Sequence, residues 1–228
     1  MRQTEHLVSE LPLIKFQSKE NIDSIRQGKI YMKTLKWYRE HENENGDTIV
    51  GDEYEALWFL RDAEIIFPDI NEIVKVSNEA IHTTFSNDFV FCMFGIYPKK
   101  DCFEYSEEQK AELASFGDTA LLITNKNEFI KRMVIAAKRK KMKLYAGFVS
   151  YYNPGTDNAN MILSLIDGMH NIAFWKRNRY SLQQEYRFLL HSPNTDKDHF
   201  ILEIGDISDI SVVMKTSSAL NARIEKLK

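Results

Sequence analysis

Residues 174–190 run Phe-Trp-Lys-Arg-Asn-Arg-Tyr-Ser-Leu-Gln-Gln-Glu-Tyr-Arg-Phe-Leu-Leu, with aromatics, four cations and one carboxylate in a segment that ends as a strand. In an extended chain, successive side chains alternate between two faces. Over 184–190 this directs Glu185 and Arg187 to one side together with Gln183, and Gln184, Tyr186 and Phe188 to the other. Apolar side chains account for themselves by burial, whereas an amide, a carboxylate and a guanidinium on one sheet face need a specific setting. They form either a salt-bridged structural latch or the polar end of an active site.

The chain of 228 residues is long enough to bury a sizeable core, and no repeat or Pro/Gly/Ser linker divides it, so a single domain over 1–228 is expected. Its 43% hydrophobic and 28% charged content is that of a globular protein, and a net charge of −3 leaves a nucleic-acid partner open. No apolar run is long enough to span a bilayer, and the start Met-Arg-Gln-Thr-Glu-His lacks the form of a signal peptide. A cytoplasmic protein without membrane contact is expected. Cys92 lies in the apolar run 89–94 and reads as a buried, inert thiol. Neither the two cysteines nor the scattered histidines have metal-ligand spacing, so no metal site is expected.

Strand-like runs fall at 13–16, 29–32, 56–60, 73–76, 89–96, 119–124, 144–151, 186–190, 200–204 and 210–214. Helices are expected at 19–27, capped by Ser18 and closed by Gly28, at 126–141 behind Asn125, over 159–173, and at the C-terminal end. Strands outnumber helices without regular β-α alternation. The class is therefore α+β, with a largely antiparallel central sheet and helices on its flanks.

Two segments carry most of the charge asymmetry. Residues 40–64 hold nine acidic side chains and one basic, with turn signals at Asn45-Gly46 and Gly51-Asp52. The carboxylates Asp47, Asp52, Glu53 and Glu55 lack the spacing of an EF-hand, so this segment reads as a solvated loop or hairpin. Residues 126–143 hold eight cations and one carboxylate. They form either a solvated helix face or a phosphate-tracking surface made of Lys131, Arg132, Lys138, Arg139 and Lys141. Lys176, Arg177 and Arg179 would extend that surface if the two segments meet, with Phe174, Trp175 and Tyr180 available to stack on bases.

No phosphate loop, Gly-x-Gly-x-x-Gly turn, Gly-x-Ser-x-Gly elbow or His-Glu-x-x-His helix occurs. Gln183-x-Glu185 is the strongest positive motif. Breaking the nicotinamide–ribose bond of NAD requires a carboxylate that stabilises an oxocarbenium-like ribose, the same demand that governs glycoside hydrolysis. Here the chain resembles the ADP-ribosyltransferase superfamily, whose last motif is Glu or Gln, any residue, then Glu at the start of a late strand. The opening strand, capped helix, glycine and strand are similar to those of DarT-like members, which act on nucleic acid. The chain more closely resembles a family of bacterial and phage proteins. That family carries a Lys, an aromatic and Gln/Glu-x-Glu-aromatic-Arg late in the chain, matched by Lys176, Tyr180, Gln183, Glu185, Tyr186 and Arg187. Earlier it carries Ile-x-x-Gly-x-Ile-Tyr-Met, Tyr-Arg and Gly-Asp, matched from Ile25 to Met32, at Tyr38-Arg39 and at Gly51-Asp52.

The resemblance implies an enzyme of phage–host conflict, with NAD as donor and a nucleic acid or protein as acceptor. By the same resemblance Glu185 stabilises the ribosyl cation and Gln183 orients the acceptor. Arg187 holds Glu185 or a phosphate, and Lys176, Tyr180, Arg39 and Tyr31 contribute to the cofactor pocket. Two further possibilities stand beside it: a non-enzymatic binding protein on the same fold, and a nucleic-acid-binding module built on the basic helix.

Overall fold

The computed structural model describes residues 12–46, 49–60, 63–76, 79–82, 87–96, 102–153, 161, 164, 168–191 and 197–225. The polar start, Asp47 and the Pro154-Gly155 break lie outside these residues. The chain opens with β1 (Leu13–Gln17), α1 (Lys19–Arg26), β2 (Lys29–Thr34) and α2 (Leu35–Asn45). Four short strands follow, β3 (Leu57–Leu60), β4 (Ala63–Phe67), β5 (Glu72–Val76) and β6 (Glu79–His82), paired as two hairpin-like ladders. Next come β7 (Phe89–Gly95), β8 (Cys102–Phe103), α3 (Glu107–Ala114), β9 (Thr119–Ile123) and α4 (Lys126–Arg139). The remainder comprises β10 (Lys143–Phe148), β11 (Ser150–Tyr152), β12 (Trp175–Arg177), β13 (Glu185–His191), β14 (His199–Glu203), β15 (Ser211–Lys215), α5 (Thr216–Leu220) and β16 (Ile224–Glu225).

The class is α+β. The central sheet runs β10-β13-β7-β1-β9-β15 with antiparallel pairing, and β2 and β14 form an arm joined to β7. On one face, Ile22 and Ile25 of α1 and Phe129, Met133 and Ala137 of α4 pack on Phe91, Met93, Leu121, Tyr186 and Phe188. On the other, Leu113, Ala219 and Leu220 cover Ile14, Phe16, Phe94 and Ala120. β13 is thus buried on both sides, which is why its aromatic face and its charged face are both occupied.

The sheet is split beside β7. β13 occupies one edge of β7 from Phe89 to Phe94, so β1 and β2 share the other. There β1 pairs only at Phe94 and Gly95, and β2 only at Phe89 and Val90. The two strands diverge and leave an opening opposite residues 91–93.

Three local expectations change. Residues 40–45 belong to α2, where Thr34 accepts a capping bond from the Trp37 N–H and Gly46 closes the helix at φ 65°. No helix is expected between the strands at 89–96 and 119–124, yet α3 stands there, its start capped when Ser106 accepts from the Gln109 N–H. Of the helix expected at 159–173, residues 161 and 164 are helical, and Met169–Phe174 forms a 3-10 turn. Asn125 does cap α4 through the Glu128 N–H, but the Glu128 carboxylate turns to Lys131 and Arg132 instead of closing a capping box.

Gly28 has φ +85°, and an added Cβ would lie 2.0 Å from the Gly205 carbonyl oxygen. Gly28→Ala is therefore expected to destabilise the protein by about 2–3 kcal/mol, read as a lower urea midpoint with an unchanged slope.

Candidate functional site

Gln184 adopts a left-handed conformation, φ 38°, between the 3-10 turn Asn178–Gln183 and β13. Gln183 therefore joins Glu185 through the geometry of this turn and not through strand alternation. The Glu185 N–H donates to the Tyr151 hydroxyl at 2.8 Å, which fixes the first residue of the strand. From β12, the buried Lys176 ammonium donates to Glu185 Oε1 at 2.6 Å and to Gln183 Oε1 at 3.1 Å, and lies 4.1 Å from the Tyr180 ring centroid. Arg187 Nε donates to Glu185 Oε2 at 2.7 Å. Its terminal nitrogens grip both oxygens of Glu55 at 2.5 and 2.9 Å, and one also reaches the Ala173 carbonyl.

These four charges cancel in a nearly dry setting: Arg187 and Glu55 are each 2% exposed. Burial alone would raise the Glu185 carboxyl, but Arg187 and Lys176 outweigh it and hold the group well below the usual carboxylate range. Burial holds the Glu55 carboxyl above its ordinary value, against the pull of Arg187. Burial likewise opposes the charged form of Lys176, and Glu185 more than offsets it.

Within the acidic segment, Glu42 and residues 51–55 partner this cluster and are not a solvated loop. Asp52 and Glu55 are buried against guanidinium groups: Arg187 holds Glu55, and Arg177 donates to Asp52, Glu53 and Glu42 at 2.7, 2.9 and 2.5 Å. Tyr180 donates to the Gly51 carbonyl at 2.6 Å. Gly51 itself lies against α2, where a Cβ would come within 2.6 Å of the Glu42 nitrogen. The Gly51-Asp52 motif thus has a physical basis: the glycine permits close approach to the helix, and the aspartate meets a buried guanidinium. A divalent cation is not needed to hold these carboxylates, and no metal-holding group occurs among the described residues.

Above the cluster lies a cleft enclosing roughly 730 Å³, open solvent at its mouth included, with Lys176, Gln183, Glu185, Glu55 and Arg187 along one wall. Phe16, Met93, Phe94, Leu113 and Phe116 supply apolar lining. A row of exposed surface ion pairs would leave Glu185 facing bulk water, whereas here it faces the cleft.

Lys15 also lines the cleft, from the opening in the sheet. Gly95 N–H donates to the Gln184 carbonyl, so alternation along β7 turns the Cys92 carbonyl away from β13, into that opening. Lys15 Nζ donates to it at 2.8 Å, its one hydrogen-bond acceptor among the described residues. Burial lowers the Lys15 amine, with Glu185 opposing. Among the described residues that line the cleft, Lys176, Arg187, Glu55 and Glu185 balance, and Lys15 is one cation in surplus. Cys92 is partly open to the cleft, but burial pushes its thiol up to about 12, so it stays protonated and unreactive at neutral pH.

The expected site residues separate into four groups. Glu185, Gln183, Arg187 and Lys176 line the cleft wall, whereas Tyr180 packs on Lys176 with its hydroxyl on the Gly51 carbonyl and lies outside that wall. Arg39 stands behind it, donating to the Glu55 carbonyl at 3.3 Å. Tyr31 lies elsewhere: Ile30 and Met32 point into the core, so Tyr31 faces outward, 47% exposed, and stacks on His199. The basic helix and the cleft do not meet. Phe129 of α4 packs on Phe188, while Glu185 and Arg187 leave β13 on the other side, and Lys176 and Arg177 are buried in ion pairs. On α4 itself, Lys131 pairs with Glu128, and Arg132 with Glu128 and Asp209. Lys138, Arg139 and Lys141 are exposed. Phe174 and Trp175 pack against the core cluster under α2, so they are not presented for stacking.

Among the described residues no helix is long and apolar enough to cross a membrane. Compared with protein-family models, curated proteins and solved structures, the chain has no match.

Proposed function

We propose that the cleft binds NAD and that the protein is an ADP-ribosyltransferase-like enzyme, transferring ADP-ribose to a nucleic acid or protein. The observation that carries this is the placement of Glu185: a carboxylate at the start of β13, held ionised by two buried cations and opening onto a cleft. In the reaction, the bond from ribose C1′ to the nicotinamide nitrogen breaks and its electron pair leaves with nicotinamide. An acceptor oxygen or nitrogen then bonds C1′ and releases its proton to solvent. Each Glu185 oxygen accepts one hydrogen bond from the protein and retains a lone pair for a ribose hydroxyl and the developing positive charge.

Gln183 takes a different part from the one its motif implies. Its amide nitrogen donates to the Ile49 carbonyl and to Glu112, and its oxygen accepts from Lys176. With these bonds in place it is a positioning residue, fixing Lys176 and the segment beside the cleft, and the acceptor is oriented elsewhere. Lys15, the surplus cation, holds the diphosphate. Lys15→Gln is expected to raise the KM for NAD about tenfold to a hundredfold, the worth of one charge-assisted hydrogen bond, with little change in kcat. Initial rates at varied NAD test this.

A second reading rests on the completeness of the pairing around Glu185. With both oxygens held, the quartet also suits a purely structural role in a non-enzymatic binding protein. That protein consumes no NAD, and its Glu185→Gln variant loses stability alone. Nicotinamide release separates the two.

A further inference from the structure

The end of α4 carries charge that the cleft does not use. Lys138, Arg139, Lys140, Lys141 and Lys143 are five cations in six positions, all exposed. No ion pair forms to any of them among the described residues, whereas Lys131 and Arg132, two turns earlier, are taken up by Glu128 and Asp209. Helix polarity accounts for only part of the run. Cations in the last turn favour the negative end of a helix, but the effect decays within that turn. Lys141, at φ 58°, and Lys143, in β10, lie beyond it.

The run stands apart from the cleft. Lys143 pairs with His191 at the far end of β13 from Glu185, about 20 Å away at strand rise. Its charge therefore serves something other than a ligand in the cleft. The one apolar residue among these positions, Met142, is partly buried against the core, and none is aromatic. The run thus offers no stacking platform for single strands and nothing to insert into a bilayer.

We propose that this cationic knuckle docks on the phosphate backbone of a nucleic-acid duplex, independently of base sequence. Lysine and arginine side chains spaced along a helix end and the following strand neutralise successive phosphates, so binding is driven by counterion release.

The test is fluorescence anisotropy with a labelled 20-base-pair DNA duplex, beside single strands of the same sequence and anionic phospholipid vesicles. Wild-type affinity for the duplex is expected to fall roughly a hundredfold between 50 and 200 mM salt, for about four phosphates neutralised. Combining Lys138→Gln, Arg139→Gln, Lys140→Gln and Lys141→Gln should remove most of the binding and flatten the salt slope. The double variant Lys138→Gln/Lys141→Gln should halve that slope, which keeps the test intact if the fourfold variant folds poorly. Nicotinamide release by the double variant should equal wild type, since neither residue lines the cleft. Absence of duplex binding at 50 mM salt, equal binding by the fourfold variant, or preference for single strands or vesicles would overturn the proposal.

Discussion

Replacing Arg187 with methionine is expected to lower the free energy of unfolding by about 3–5 kcal/mol, among the largest single-residue effects in the molecule. Arg187 holds Glu185 and Glu55 together, and all three side chains are buried. Methionine keeps much of the volume but leaves two carboxylates in a dry interior, with Lys176 on Glu185 as the one ion pair remaining to them among the described residues. Lysine at the same position should rescue little, because one ammonium cannot span Glu55 bidentately and reach Glu185 as well. Urea denaturation at pH 7 measures the difference. Its pH dependence follows from Glu185, whose folded-state carboxyl is held well below its unfolded value near 4.3. The stability it contributes is complete above that value and is lost as pH falls further. The deficit of Arg187→Met should accordingly be full at pH 7 and shrink below about pH 4. Glu55 works in the opposite sense, since burial already favours its protonated form.

The second large effect concerns chemistry. Glu185→Gln should cut nicotinamide release from NAD at least a hundredfold, because the neutral amide cannot stabilise charge developing at the ribose. The loss should fall on kcat, with KM nearly unchanged while Lys15 remains. The variant keeps Arg187 on Glu55 and Lys176 on Gln183, so it should fold, at a cost of about 2–3 kcal/mol from the two cations left under-compensated. Activity is therefore to be measured well below its thermal midpoint, with near-UV circular dichroism as the check on packing.

Most of the sheet was legible because its strands carry clear apolar runs: Phe-Val-Phe-Cys-Met-Phe in β7 and Tyr-Arg-Phe-Leu-Leu in β13 can hardly be anything else. α2 was not legible as a helix, since Leu-Lys-Trp-Tyr-Arg-Glu-His-Glu-Asn-Glu-Asn lacks a strong apolar stripe. Its punctuation was nonetheless present, in Thr34 before the first turn and Gly46 after the last. The same acidity misled at 40–64, because charge density predicts solvation only when no buried cation lies opposite. Arg177 and Arg187, more than a hundred residues later, decide the fate of Asp52 and Glu55, and local sequence does not reveal that pairing. The Glu185–Arg187 row was legible from strand period alone. The place of Lys15 in the cleft was not, because it comes from the divergence of β1 and β2 along β7, a property of the assembled sheet.

The most direct test of NAD chemistry at Glu185 is release of labelled nicotinamide from NAD by the purified protein, with and without added nucleic acid or protein acceptor, for wild type beside Glu185→Gln. Nicotinamide formed by wild type and at most a hundredth as fast by the variant is the predicted result. No release by wild type under any of these conditions, or equal rates for the two proteins, would contradict it.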